Sequence, residues 1–327
     1  MKLPKLSDTN VSGKKVLVRA DLDIGKDSKE ESEKLKTLLP TIGYLYENQA
    51  EITMIGHRGR PGGKEVESLS LKPVSKILEE IITKELGKEG ASKLNMYVME
   101  NLRFNPGEEK NDDHFAEHLA ENKDLYVNEA FSASHREHAS IVSLPKHLPH
   151  VAGFRFVDEV ENLSRVLTES KSPVVVVLGG FKKDKINYIN GIKDFADKIL
   201  VAGRLPDYLP EDFKDEKIEV AHLMQDKEDI TIHSIEKFEK VIENAGTIVL
   251  SGPSGKFEDK GHKQGTQRVF TAIAHSNAYK VAGGGDTQDA ISMFDLESKF
   301  DWISVGGGAM LEFLTKKTLP GIEALLK

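Results

Sequence analysis

The sequence lacks cysteine, long apolar runs and an excess of positive charge, and each absence excludes a class of function. Without cysteine among its 327 residues, the chain has no disulfide, thiolate metal site or cysteine nucleophile. No apolar run approaches the roughly 18 residues that a membrane-spanning helix needs. The first residues, Met1–Lys5, lack the apolar core of a signal peptide. We therefore expect a cytoplasmic protein with no membrane partner.

The charge balance argues against a general nucleic-acid-binding protein. The formal net charge is −8, whereas general binding to a nucleic-acid backbone requires a basic surface. Hydrophobic residues make up 39% and charged residues 30% of the chain, as in ordinary globular proteins. The length predicts about two domains.

Short apolar runs alternate with longer amphipathic segments, a pattern that predicts an α/β fold with parallel sheets. Several of the runs are β-branched and apolar on both faces, as strands of a buried parallel sheet are. The predicted strands are Lys15–Arg19, Ile52–Ile55, Met96–Met99, Leu125–Val127, Val174–Leu178, Ile199–Ala202, Thr247–Leu250, Tyr279–Ala282 and Trp302–Ser304.

Amphipathic helices are predicted between these strands. One of them, Phe156–Ser170, is expected to connect two sheets, one in each half of the chain. Ser234 is expected to cap the helix that begins there. The other predicted helices are Leu71–Leu86, Ser234–Ile242 and Gln267–Ala274, and Gly25–Lys36 is expected to be a solvated loop entering a helix.

Basic residues follow the predicted strands of the first half. His57, Arg58 and Arg60 lie in a glycine-rich turn, and Arg103 and Arg136 follow later apolar runs. Because parallel strands end at one edge of a sheet, we expect these side chains to form a cradle for a small anion. A solvated loop without a ligand is the alternative interpretation of the turn.

Two carboxylates, Asp21 and Asp23, follow the first strand. Beside cations they would orient the basic groups or accept hydrogen bonds from a substrate hydroxyl. Loop carboxylates without a function are an equally good interpretation when these residues are taken alone.

In the second half, the loops that follow the predicted strands are rich in glycine. In Gly283–Thr287 the glycines permit close approach of a phosphate, and Asp286 offers a hard oxygen ligand for Mg²⁺. Gly306–Gly308 precedes a helix start, which also favours a phosphate. Lys182 and Lys185 follow Gly179-Gly180, a weak signal. No loop fits the Walker or dinucleotide pattern, so the residues alone predict phosphoryl transfer between a nucleotide and a small anion.

An ordered series of short motifs resembles the phosphoglycerate kinase family over nearly the whole chain. The motifs are Val16–Asp21, Leu39–Ile42, Gly56–Pro61, Glu100–Phe104, Glu129–Phe131, His135–His138, Gly252-Pro253, Phe257-Glu258, Gly283–Thr287, Gly306–Ala309 and Leu319–Gly321.

The resemblance implies two doubly wound, Rossmann-like domains joined by a hinge helix in a monomeric enzyme. Residues 1–155 with the tail 314–327 would bind phosphoglycerate, 156–171 would form the hinge helix, and 172–313 would bind the nucleotide. The implied reaction moves a phosphoryl group between 1,3-bisphosphoglycerate or 3-phosphoglycerate and ADP or ATP, with Mg²⁺ as cofactor.

The resemblance also assigns residues to roles. The implied substrate-binding residues are Asp21, Asp23, Lys34, His57, Arg60, Arg103 and Arg136. The implied nucleotide-binding residues are Lys182, Lys185, Glu258, Gly283, Gly284, Gly285, Asp286, Thr287, Gly306, Gly307 and Gly308, with Asp286 as the metal ligand and Lys34, Lys182, Gly284 and Gly307 acting in catalysis.

The chain departs from the family pattern at several of these places. Asp23 replaces an asparagine, and Lys34 replaces a catalytic arginine, which predicts a slow enzyme because lysine lacks the bidentate fork. Ser251 and Val305 replace an asparagine and a threonine, the loop before Lys182 is one residue shorter, and the stretch between Ala202 and Asp229 is much shorter. Two alternatives stay open: an inactive homologue that binds 3-phosphoglycerate or a related small phosphorylated acid in a regulatory role, and a kinase for another small carboxylate.

Overall fold

The computed structural model describes residues 2–25 and 34–327. The chain divides into two compact units, each containing one parallel sheet. The first unit is Met1–Val160 together with Thr318–Lys327, and the second is Glu161–Lys317. The predicted α/β class with two parallel sheets is therefore confirmed.

The first unit contains a five-stranded sheet with the order β3-β2-β1-β4-β5, and every neighbouring pair is parallel. The central strands are buried and apolar, so they form the core together with the inner faces of the helices. The strands are β1 Lys15–Arg19, β2 Glu51–Ile55, β3 Met96–Val98, β4 Leu125–Asn128 and β5 His150–Ala152, and the helices are α1 Leu39–Glu47, α2 Lys72–Lys93, α3 Pro106–Glu109 and α4 Asp113–Ala120.

The second unit contains a six-stranded parallel sheet with the order β11-β10-β9-β6-β7-β8. Helix α5, Phe154–Thr168, leads from the first unit into the second. The strands are β6 Val174–Leu178, β7 Lys198–Val201, β8 Ile218–Val220, β9 Thr247–Ser251, β10 Tyr279–Gly283 and β11 Trp302–Ser304, and the helices are α6 Ile189–Lys193, α7 Ile232–Glu243, α8 Gln264–His275, α9 Gly285–Met293 and α10 Gly307–Lys316.

A last helix, α11 Pro320–Leu325, returns to the first unit. The backbone N–H of Gly321 donates to the backbone oxygen of Ser134 over 2.9 Å. The contact is close: a Cβ added at Gly321 would lie 2.5 Å from the Ser134 hydroxyl. Within the described part of the chain, no helix combines the length and the apolar character that crossing a membrane requires.

All nine predicted strands are present, with ends that differ by at most one residue. Two strands were missed, β5 and β8, which are three residues long and lie at sheet edges. The predicted cap of α7 is wrong. Thr231 is the capping residue and accepts from the Ser234 N–H, whereas the Ser234 hydroxyl accepts from the His222 N–H over 2.8 Å. Residues 26–33 of the predicted loop lie outside the described residues.

Candidate active site

The sheet of the first unit brings several predicted site residues to one edge. Asp21 follows β1 and His57 follows β2, and these two strands are paired in register. Arg103 lies in a short 3-10 helix, Leu102–Phe104, after β3. Carboxyl ends of parallel strands are the usual ligand-binding edge of such a sheet.

His57 lies at the centre of this group. It is buried, and its Nδ1 lies 2.9 Å from Nη2 of Arg19. Burial, followed by the positive charge of Arg19, holds the pKa of His57 well below its usual range. The positive charges of Arg103, Lys34 and Arg136 lower the pKa of His57 further. We call His57 with Lys34, Arg103 and Arg136 the basic cluster.

Arg103 is the deepest cation of the basic cluster, with 1% of its surface exposed. Its Nη1 donates to the backbone oxygen of Gly59 over 2.7 Å, and its Nε lies 3.3 Å from Oε1 of Glu109. Its Nη2 is buried and, among residues 2–25 and 34–327, has no hydrogen-bond partner. Burial, helped by the neighbouring Arg136, lowers the pKa of Arg103 to about 10, so the side chain remains charged at neutral pH.

The two aspartates are in contact with the basic cluster. The ammonium of Lys34 lies 2.9 Å from Asp21 Oδ1, and the Ser132 hydroxyl donates to Asp21 Oδ2. Asp23 accepts from the Gly59 N–H through Oδ1 over 2.8 Å, and its Oδ2 lies 3.6 Å from His57 Nε2. Asp23 is thus a negative charge at the edge of a positive site.

Three arginines of this half, Arg58, Arg60 and Arg136, differ in their surroundings. Arg58, which follows His57, donates to the backbone oxygens of Ile24, Gly25 and Ser70, so its role is to hold loops together. Arg60 is exposed in the same turn. In Arg136, which is partly buried, Nε donates to Nε2 of His135 over 3.3 Å.

Three buried residues beneath the basic cluster were missed by sequence reasoning. Arg19 donates through Nε to the Ser140 hydroxyl over 2.8 Å, and that hydroxyl donates to Glu108 over 2.6 Å. All three side chains are inaccessible to solvent. The available signal was Arg19 itself, because an arginine that ends a buried apolar strand needs partners for its charge.

The glycine loops of the second unit follow β10 and β11, which are paired parallel strands. A Cβ on Gly307 would lie 2.8 Å from Gly284 Cα, and Gly284 has a φ of 111°, so both positions require glycine. Gly285 and Gly308 differ, because a Cβ there would meet nothing within 4 Å. Both lie in the first turns of α9 and α10, where free N–H groups favour an anion.

Lys185 and Thr287 tie these loops together. The ammonium of Lys185 donates to the backbone oxygens of Gly179 and Ser251, each over 2.9 Å. Burial lowers the pKa of Lys185 to about 8 against the attraction of Asp286. The Thr287 hydroxyl accepts from the Gly252 N–H over 2.8 Å and donates to the Gly283 oxygen over 3.0 Å. That hydroxyl is therefore engaged within the protein.

The remaining predicted residues of this unit are less closely placed. Lys182 is exposed, and its positive charge adds to the effect of burial in lowering the pKa of Lys185. Glu258 is also exposed, and within the described residues no hydrogen bond or ion pair joins its side chain to the glycine loops.

The described residues are suited to a metal ion that binds together with the phosphates of a ligand. They contain no group of three or more His, Asp or Glu side chains that could hold a metal ion alone. Asp286 is exposed in the first turn of α9, beside the open approach at Gly285. Mg²⁺ is commonly held in this way, by one or two carboxylates together with substrate phosphates.

Comparison with known proteins gives the family. The family model described as phosphoglycerate kinase matches residues 6–226 and 207–317. This chain belongs to the phosphoglycerate kinase family. It is similar to the phosphoglycerate kinases of Pseudothermotoga lettingae, at 35% identity over 99% of each chain, and of Thermosipho africanus, at 34% identity over 98% of this chain and 97% of the relative.

Solved phosphoglycerate kinase structures agree with the fold. The Coxiella burnetii structure has a TM-score of 0.79 and 29% identity, and it is covered to 99%, as is this chain. The Pyrococcus horikoshii structure has a TM-score of 0.84 and 28% identity, with 99% of this chain and 98% of that chain covered.

This phosphoglycerate kinase family member is shorter than the alignment with one of its relatives. The alignment with the Pseudothermotoga protein runs over 392 positions, whereas this chain has 327 residues. The two segments matched by the family model overlap at residues 207–226. In the structure this stretch follows β7 and contains only a 3-10 helix, Leu205–Tyr208, and the edge strand β8.

Proposed function

We propose that this protein transfers a phosphoryl group between 1,3-bisphosphoglycerate and ADP, forming 3-phosphoglycerate and ATP, with the basic cluster as the phosphoglycerate site. The family match and the relatives over full length support this activity. One observation supports the assignment of the site: the buried guanidinium of Arg103, near His57 and Arg136, has an Nη2 without a hydrogen-bond partner in the described part of the chain. A carboxylate or phosphate would complete its hydrogen bonds and match its charge.

In the direction of ATP use, a carboxylate oxygen of 3-phosphoglycerate attacks the γ-phosphorus of ATP. The new P–O bond gives an acyl phosphate, and the bond to the bridging oxygen breaks, so that ADP leaves with the electron pair. The protein's contribution is positioning and charge stabilisation, since no covalent intermediate is needed. Lys34 is placed to neutralise charge through an ammonium that Asp21 orients.

The phosphoglycerate site extends around the basic cluster. Asp21 holds Lys34, Asp23 lies at the rim, and Arg60 adds an exposed positive charge. The proposed ligand-binding residues of the first unit are Asp21, Asp23, Lys34, His57, Arg60, Arg103 and Arg136.

The nucleotide phosphates are assigned to the glycine loops of the second unit. Gly284 and Gly307 allow the two loops to approach, and Gly285 and Gly308 leave their N–H groups accessible. When bound, Mg²⁺ supplies positive charge that neutralises the phosphate oxygens, and Asp286 is its proposed protein ligand. Proposed contacts are Lys182, Lys185, Glu258, Gly283, Gly284, Gly285, Asp286, Thr287, Gly306, Gly307 and Gly308.

We further assign the activity to a cytoplasmic monomer, with the first unit binding phosphoglycerate and the second binding the nucleotide. Each unit has its own sheet and core, which supports one ligand for each unit.

A coupled assay of ATP consumption with 3-phosphoglycerate tests the function, and Arg103→Lys tests the site. Lysine keeps the charge but cannot bridge Gly59 and a ligand with one planar fork, so KM for 3-phosphoglycerate should rise about 10- to 100-fold. The matched control is Arg268→Lys, which disturbs an ion pair with Glu239 in the second unit and should leave KM unchanged.

The outcomes separate the alternatives. Turnover with 3-phosphoglycerate, using ATP or GTP, confirms the kinase. Binding of 3-phosphoglycerate by calorimetry without turnover, and without binding of Mg-ADP at millimolar concentration, would instead identify a binding homologue. Turnover only with a different acid from a panel of small carboxylates would identify another substrate.

A further inference from the structure

The last residue of β1, Arg19, contacts the imidazole of the basic cluster from below. Its guanidinium is completely buried, and each of its nitrogens has a partner. Nε donates to the Ser140 hydroxyl, Nη1 donates to the backbone oxygen of Ala20 over 2.6 Å, and Nη2 lies 2.9 Å from Nδ1 of His57. The strand and its neighbours thus fix the guanidinium in one orientation.

The chemistry of the two groups decides which nitrogen of His57 carries the proton. Arginine is always charged in proteins and has only donors, so Nη2 must donate in this contact. Nδ1 of His57 must therefore offer its lone pair. A proton on Nδ1 would place two N–H groups against each other at 2.9 Å. A neutral imidazole that accepts at one nitrogen donates at the other.

We infer that Arg19 is a positioning residue that holds His57 as a neutral imidazole with its proton on Nε2, so that His57 serves its site as a hydrogen-bond donor and not as a cation. The donor faces the rim of the site, where Asp23 Oδ2 lies 3.6 Å from Nε2, beyond hydrogen-bond length. A ligand oxygen can accept this proton without any change in the protonation of His57.

The surroundings of His57 favour the same state. Four cations approach it from different parts of the first unit: Arg19 from β1, Lys34 from the segment before α1, Arg103 from the turn after β3, and Arg136 from the loop after β4. One carboxylate, Asp23, faces Nε2. Burial is the largest effect and lowers the pKa of His57, and the cations lower it further. The exposed carboxylate of Asp23 does not outweigh these effects.

This inference deepens the proposed function, because it states how one residue of the phosphoglycerate site binds. Its first test needs no substrate. Long-range ¹H–¹⁵N correlation spectra of the full chain, recorded between pH 5 and 8, report the protonation of each imidazole nitrogen. His57→Gln identifies the signals that belong to His57. We expect Nδ1 unprotonated and Nε2 protonated throughout this range. A proton on Nδ1, or a titration of His57 near pH 6.5, would overturn the proposal.

A pair of variants tests the part played by Arg19. In Arg19→Gln the group facing Nδ1 can donate or accept, so the fixed preference should be lost and the spectrum should show both neutral tautomers of His57. Arg268→Gln makes the same change at an arginine of the second unit that pairs with Glu239, and it should leave the His57 spectrum unchanged. If Arg19→Gln fails to fold, the wild-type spectrum still shows which nitrogen of His57 carries the proton and so tests the proposal. A chain that shows the expected spectrum but no turnover would contradict the proposed function and leave the inference standing.

Discussion

The ammonium of Lys34 lies 2.9 Å from Oδ1 of Asp21 and donates to the backbone oxygen of Asp23. A lysine is therefore anchored beside the basic cluster, in the position where the resemblance implies an arginine in the family. Its charge is in place, but it offers one point of contact where a guanidinium would offer two parallel donors.

Replacing Lys34 by arginine should increase kcat with 3-phosphoglycerate and ATP by about tenfold, or about 1.4 kcal/mol in the barrier. The planar fork can contact Asp21 and a transferred phosphoryl group at the same time. The control is Lys36→Arg, an exposed neighbour two residues away, which should leave kcat unchanged. An arginine variant that is no faster would show that Lys34 does not limit the rate.

Replacing Asp23 by asparagine should lower KM for 3-phosphoglycerate about three- to tenfold. An opposing charge at the rim is removed, and an interaction of about 1 kcal/mol is typical for charges a few ångströms apart in water. The asparagine oxygen can still accept from the Gly59 N–H. The difference should shrink at high ionic strength. Asp8→Asn makes the same charge change in an exposed 3-10 helix and serves as the control. A higher KM would mean that the carboxylate contacts the substrate favourably.

The pH profile of kcat/KM for ADP should have an alkaline limb, a decrease at high pH, that reflects the deprotonation of Lys185. Its pKa is lowered to about 8 by burial, so above this pH the ammonium loses its proton and its attraction for phosphate. We expect kcat/KM for ADP to fall about tenfold per pH unit there. Lys185→Arg should remove the limb, because a guanidinium stays charged, although activity at pH 7 will be lower. The control is Lys198→Arg, at the first residue of β7, which should leave the alkaline limb unchanged.

The stability of the protein distinguishes this effect from unfolding. The folded pKa of Lys185 lies below that of an ordinary lysine, so between about pH 8 and 10.5 the unfolded chain binds more protons than the folded one. The contribution of this group to the free energy of unfolding therefore rises with pH in that window. Loss of activity together with a loss of stability that Lys185→Arg does not alter would argue against this explanation.

Gly308→Ala should weaken nucleotide binding without weakening the fold. Its added methyl group meets no protein atom within 4 Å, but it would stand where a phosphate approaches the first turn of α10. KM for ATP should rise at least tenfold, while the melting temperature stays the same or rises slightly, since alanine is the better helix former. Gly43→Ala in α1, where space is also open, should change stability only. Unchanged KM for ATP in Gly308→Ala would remove this loop from the nucleotide site.

The sequence was sufficient for the strands that are buried along their length. Val174–Leu178 is apolar at every position and completely buried, so pattern and structure coincide. Strands β5 and β8 were not predictable in this way, because three residues at a sheet edge have no periodicity and depend on the neighbouring strand for their hydrogen bonds.

The site was predictable as far as residue types and strand ends allow. The pairing of β1 with β2 brings Asp21 and His57 to one edge, as the strand order implies. The different roles of neighbouring residues within the site were not predictable. Arg58 and Arg60 lie in one turn, yet Arg58 binds three backbone oxygens and Arg60 is exposed. Such differences arise from tertiary contacts that no local pattern records.

The return of Thr318–Lys327 to the first unit has a consequence for how the protein is made on the ribosome. The surface around Ser134 and Ile141 is covered by residues translated after the second unit. At about 5–20 residues per second, synthesis of the second unit takes roughly 10–30 s, and the first unit must wait that long for helix α11. The second unit, continuous in the chain, can finish folding before the first.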